Sequence, residues 1–249
     1  ALNEQVLKRR CGRPLHIRID GRELLDINHP DVMLEAATTS FQVHLQSAHS
    51  KAVRYFNAAI ITAGPLVAAS GNSPLLFGAD LWDETRIPLF EQSVEVGDQP
   101  QSEHHRVSFG CGYARESLLE CFAENLAHHD VLLPILMDSP SQRYDHLRLH
   151  NGTIWRWIRP LVGFDPDGTP HLRIEQRVLP AGPTIADMMA NAALFFGLAR
   201  YLSDLPEAPE SIFNFDKARD NFYAAARDGL QSQLVWLDGS TVDARTLLL

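Results

Sequence analysis

Two alternating segments joined by a strong turn constrain this chain more than any other feature. In Ile154-Trp155-Arg156-Trp157-Ile158-Arg159-Pro160, residues Ile154, Arg156 and Ile158 fall opposite Trp155, Trp157 and Arg159, the two-residue rhythm of an extended strand. Asp165-Pro166-Asp167-Gly168 follows, and such a cluster between apolar runs reverses the chain. Beyond it, Leu172, Ile174, Gln176 and Val178 share one face, and Arg173, Glu175 and Arg177 share the other. The spacing predicts an antiparallel hairpin with one apolar face and one charged face.

Other segments extend that sheet and back it. Leu15 to Ile19 reads as a short strand closed by Asp20-Gly21, and Asn28-His29-Pro30 as a loop. Thr39 to Gln46 alternates strictly, with Phe41, Val43 and Leu45 opposite Ser40, Gln42, His44 and Gln46. Val53, Phe56, Ile60, Gly64 and Val67 recur at helical spacing, and Ser70-Gly71-Asn72-Ser73-Pro74 stops that long helix. Helices are also expected over 1–12, 84–92, 115–128 and 213–230. A strand region is expected over 93–110, interrupted by the polar loop Gly97 to His105. Thr184 and Asp187 resemble a capping box ahead of an amphipathic helix, Ile185 to Leu202. Leu234 to Leu237 reads as a strand before an Asp238-Gly239 turn. No repeat or low-complexity linker divides the chain. One α+β domain over 1–249, an antiparallel sheet backed by helices, is the economical reading.

Composition narrows the partners. A net charge of −9, from 22 basic and 31 acidic residues, makes a nucleic-acid backbone a poor match. Cys11, Cys111 and Cys121 are too few and too irregular for a disulfide framework or a zinc site, which points to a reducing, cytoplasmic setting. No apolar run approaches the roughly 20 residues of a membrane span. The adjacent pairs His104-His105 and His128-His129 read as solvated surface histidines rather than metal ligands. Ala1 opens directly on a helix-like stretch, and Leu247-Leu248-Leu249 closes without a stop signal, so both ends read as cut.

Three predicted strands share one property: an apolar face opposite a face of Gln42, His44 and Gln46, of Arg159, or of Arg173, Glu175 and Arg177. Such faces ordinarily point at water. These carry Arg, Gln, His and a single Glu, where flexible Lys and Glu are usual. Guanidinium forks grip phosphate oxygens, and a carboxylate suits a hard cation. There is no glycine-rich phosphate loop, so a nucleotide would be held by side chains on a sheet.

These segments resemble the carboxylate–amine ligases of glutamate–cysteine ligase family 2. Ser40-Phe41-Gln42-Val43-His44-Leu45-Gln46 is similar to the family's paired-histidine strand. Ala69-Ser70-Gly71-Asn72-Ser73-Pro74 resembles its Ser-x-Asn-Ser-Pro helix end. Ile154 to Pro160 resembles its Trp-Trp-Asp-Val-Arg-Pro strand, and Leu172 to Arg177 its Leu-Glu-Val-Arg strand. The order holds over about residues 35–202. The resemblance implies a glutamine-synthetase-like catalytic fold, of which this chain is a part, and an ATP-dependent ligase. That enzyme activates a carboxylate, glutamate in the best-known members, as an acyl phosphate and joins it to an amine with magnesium present. Carried over, Glu175 and Gln42 would be metal ligands. Gln42, His44, Arg159 and Arg177 would lie against the nucleotide, with Arg159 and Arg177 stabilising the transferring phosphoryl group, and Asn72 would support the substrate. Two features depart from the pattern. No strand of consecutive glutamates is present, since Glu4, Glu23 and Glu35 are isolated, and Gln42 and Trp157 replace a family histidine and aspartate. The expectation is weak Mg-ATP binding by this chain.

Overall fold

The computed structural model describes residues 1–96 and 105–249. The expected polar loop from Gly97 and His104 itself lie outside the described residues. Helix α1 (Leu2–Arg9) leads into strands β1 (Leu15–Asp20) and β2 (Leu24–His29), which pair antiparallel. Asn28 and His29 are therefore strand residues rather than a loop, set opposite His16 and Leu15. The hairpin extends to them because Leu25 and Ile27 continue its apolar side, and Pro30 ends it just beyond.

Strand β3 (Val43–Gln46) is followed by helices α2 (Ala52–Ile61) and α3 (Ala63–Ser70). Here the expected single long helix is bent by 45° at Thr62. Pro65 is the cause: it has no N–H for the Ile61 carbonyl, and its ring crowds that carbonyl, whereas Leu66 resumes the ladder by donating to Thr62. Gly64 approaches Asn221 so closely that a Cβ would stand 2.9 Å from Asn221 Cβ, and only glycine permits that approach.

Two-residue strands β4 (Leu75–Leu76) and β5 (Ala79–Asp80) form a tight hairpin before α4 (Arg86–Ser93). Of the strand region expected before residue 110, the described part is β6 (Val107–Ser108). Helix α5 (Leu119–His128) begins later than expected because Glu120 accepts backbone N–H groups from Arg115, Glu116 and Ser117, holding them as a turn. Helix α6 (Asp145–Gly152) precedes β7 (Trp155–Arg156), which pairs parallel with β6. Strands β8 (Ile158–Phe164) and β9 (Pro170–Gln176) form an antiparallel hairpin turned at Gly168 with φ +88°, but of the alternating segment expected to build it only Ile158 to Pro160 lies in β8, because Trp155 and Arg156 pair with β6 instead. Helix α7 (Ile185–Ser203) is capped by Thr184, whose Oγ1 accepts from the Asp187 N–H. The helix expected over 213–230 appears as α9 (Phe215–Asp228), which Asn214 starts by accepting from the Asp216 N–H, and a four-residue helix, α8 (Pro209–Ile212), precedes it. Strands β10 (Gln233–Val235) and β11 (Thr241–Asp243) and helix α10 (Ala244–Leu248) complete the chain.

The α+β class holds, with helices backing several small sheets. The sheet that matters has the order β3-β9-β8, antiparallel throughout. Helix α2 covers its apolar face, where Val43, Leu45, Ile158 and Ile174 join the main core with Phe56 and Ile60. Gln176, also on that face, is fully buried and donates to the Ala59 carbonyl of α2 at 3.1 Å. A second, smaller core lies under the β1–β2 hairpin, with Val6, Leu15, Ile17, Leu34 and Leu89. No single helix among the described residues is long and apolar enough to cross a membrane.

Candidate functional site

Register places His44, Glu175 and Arg159 in one row across the three strands: His44 faces Glu175 from β3, and Arg159 faces it from β8. Glu175 lies at the centre, 3% exposed. Its Oε2 accepts from Arg159 Nε at 2.9 Å and from an Arg177 terminal nitrogen at 3.0 Å. Its Oε1 lies 3.3 Å from His44 Nε2. The Gln42 amide is assigned from its neighbours: with its nitrogen toward Glu175 it donates to Oε1 at 3.1 Å, and its oxygen accepts from Arg177 at 3.2 Å. Four of the expected residues thus converge on the fifth.

Arg159 is closed in from the β8 side, where it also donates to the carbonyls of Asn151 and Ile154. His44 remains one-third exposed on the β3 side, so the row opens there. Burial alone would raise the Glu175 carboxyl, but Arg159 and Arg177 hold it below the usual carboxylate range. Burial lowers Arg177, against the attraction of Glu175. Burial also lowers His44 and outweighs the nearby carboxylate, so the imidazole is neutral at neutral pH. Arg173 adds a further cation on the same strand face, opposite Gln46. The face is therefore locally positive in an acidic protein.

Beside the row is a polar pocket of about 370 Å³, lined by Gln42, Arg177, Ser40, Thr39, Trp155 and Glu35 among others. Glu35, which looks isolated in the sequence, is brought to this pocket, and burial raises its carboxyl. Arg86 forms part of the wall. It is a site neighbour that strand patterning gave no reason to select, because it stands at the start of a helix. It is buried, donates to Glu84 at 2.7 Å and to the carbonyls of Arg177 and Val178, and lies 5.3 Å over the Trp157 ring. These bonds fix the backbone on which Arg177 is carried. Asn72 is not on the row. Its side chain donates to the Ala181 carbonyl, and its N–H donates to Glu84, tying the end of α3 to the segment after β9.

Of the histidine pairs, His128 is exposed as expected. His105 is half-buried, with Nδ1 2.6 Å from Glu95 Oε2. The row can grip an anion through Arg177, which touches both Glu175 and the pocket. Glu175 itself already has protein donors on both oxygens.

A family model described as glutamate-cysteine ligase family 2 (GCS2) matches residues 24–249. Among curated proteins, no match is found.

Proposed function

The chain belongs to glutamate–cysteine ligase family 2, and from that premise we propose that it serves ATP-dependent amide formation between a small carboxylate, glutamate being the first to test, and an amine, in the cytoplasm. The observation that carries this reading is the buried Arg159–Glu175–Arg177 group beside a polar pocket, on the strands that resemble the family's nucleotide-binding strands. ATP would supply the activation, turning the carboxylate into an acyl phosphate from which the amine displaces phosphate. The chain's own residues would act on charge and position. Arg177 would hold an anionic oxygen entering the pocket, Arg159 and Glu175 would fix the Arg177 guanidinium, and neutral His44 would offer a hydrogen bond at the open edge.

Magnesium fits the described residues poorly. No group of three metal-ligating side chains stands together among them, and the Glu175 oxygens are taken by donors. Magnesium prefers several oxygen ligands, so no step is assigned to it. The same observation favours a second reading, a module on this scaffold that binds nucleotide or amino acid without turnover.

Calorimetric titration with ATP, with and without magnesium, tests the site. Arg177→Lys, which keeps the charge and loses the fork, is expected to weaken ATP binding roughly tenfold. Affinity equal to wild type in both Arg177→Lys and Arg159→Lys would overturn the assignment. Amine-dependent phosphate release in the presence of glutamate then separates ligase from binding module.

A further inference from the structure

A second cavity, of about 610 Å³, lies on the other side of α4 from the sheet-face pocket. Phe90 borders one pocket and Glu91 the other, so this turn of α4 is the partition between them. We propose that this cavity is a separate ligand site for a small organic anion with an apolar body.

Three observations support it. The size falls within the usual range for small-molecule sites, roughly 300 to 1,000 Å³. The lining is mixed in chemistry, with Val107 and Phe109 among its apolar residues and Arg10, Arg18 and Arg219 among its charged ones. Two of those cations are available. Among the described residues, Arg18 pairs with Asp26, and Arg219 pairs with Asp216 and, at 3.9 Å, with Asp220, all exposed carboxylates that a ligand anion displaces at little cost. Arg10 donates to the carbonyls of Arg13, Pro14 and Glu95.

Glu91 supplies the third observation. Its Oε1 accepts from Trp157 Nε1 at 2.9 Å and from the Tyr223 hydroxyl at 2.8 Å, while Oε2 has no hydrogen-bond donor among the described residues. Burial pushes its carboxyl up to about 7, so near neutrality it can carry a proton to donate to a ligand oxygen. The groups around it are Gln92 from α4 and Glu95 just after it, His16 and Arg18 from β1, Arg10 just after α1, His105, and Arg219 and Tyr223 from α9. Arg10, His16 and Arg18 lie before residue 24, outside the family match. The site is therefore built jointly by the family scaffold and a segment that precedes it.

Toluenesulfonate is a suitable probe because its charge is constant near neutral pH. Calorimetry should show saturable binding that weakens severalfold between about pH 6 and about pH 8, as Glu91 ionises. Arg18→Ala and Arg219→Ala should each weaken it about fivefold, and Glu91→Gln should bind with a flatter pH profile. The proposal fails if both arginine variants bind as wild type, or if no saturable binding occurs. It also fails if Arg177→Lys weakens the probe instead, which would put the anion on the sheet face.

Discussion

Strands β1 and β9 carry nearly the same pattern and the same ion pair. In β1, Leu15, Ile17 and Ile19 alternate with His16, Arg18 and Asp20. In β9, Leu172, Ile174 and Gln176 alternate with Arg173 and Glu175. Each is crossed by a directly opposed Arg–carboxylate pair: Arg18 with Asp26 at 2.6 Å, and Arg159 with Glu175 at 2.9 Å. Their surroundings differ. The Asp26 side chain is 40% exposed at the outer face of a two-stranded hairpin, whereas the Glu175 side chain is 4% exposed at the centre of a three-stranded sheet. Alternation specifies which side chains share a face, and the elements packed over that face determine whether its charges meet water.

The comparison breaks most sharply at Glu175. Glu175→Ala leaves Arg159 and Arg177 buried without a carboxylate, and removing one partner of a buried pair costs about 3–5 kcal/mol. Urea unfolding should show this as a large drop in midpoint. Pairing the change with Arg159→Leu should recover part of it, since one stranded charge is then gone. A loss no larger than that of an exposed pair would mean that the row is solvated and that the contrast with β1 is false.

Glu91 sharpens the contrast from the opposite direction. Unlike Glu175 it is only partly withdrawn from water, and its partners are a neutral indole and a neutral phenol, so burial raises its carboxyl to about 7 from an ordinary 4.5. Between those values the folded chain keeps a proton that the unfolded chain has released. Stability therefore falls as pH rises through that window and levels off above it. His105, raised by Glu95, acts in the same direction at higher pH. The measurement is accordingly the difference between wild type and Glu91→Gln, which should change across the window by on the order of 2 kcal/mol after allowance for solvent screening. A parallel pH dependence in the two proteins would show that Glu91 titrates normally.

Much of the row is legible in the sequence. The two-residue rhythm put Gln42 with His44 and Glu175 with Arg177, and the Asp165–Gly168 turn fixed β8 against β9. What rhythm does not carry is contact across distant segments. Arg86 and Glu91 sit on a short helix whose pattern marks only an apolar side. Their roles depend on Val178, Trp157 and Tyr223, which lie 66 or more residues away. Glu35 likewise reads as an isolated acid until the fold brings it beside Arg177. The bend at Thr62 was available in the sequence as Pro65, but the apolar spacing through Gly64 and Val67 continues past the break and masks it.

The smallest effect is expected at the hairpin, and it is the control for the rest. Asp26→Ala removes the partner of both Arg18 and His16, yet all three side chains remain in contact with water and the freed cations are simply rehydrated. Exposed pairs of this kind contribute little to stability, so the urea midpoint should scarcely move, and added salt should narrow what difference remains. The same substitution leaves Arg18 without its competing carboxylate beside the second cavity. If that cavity binds anions, Asp26→Ala should tighten toluenesulfonate while leaving stability almost unchanged. An exposed pair that matters little to folding would then matter more to binding, as expected if water and ligand compete for the same guanidinium.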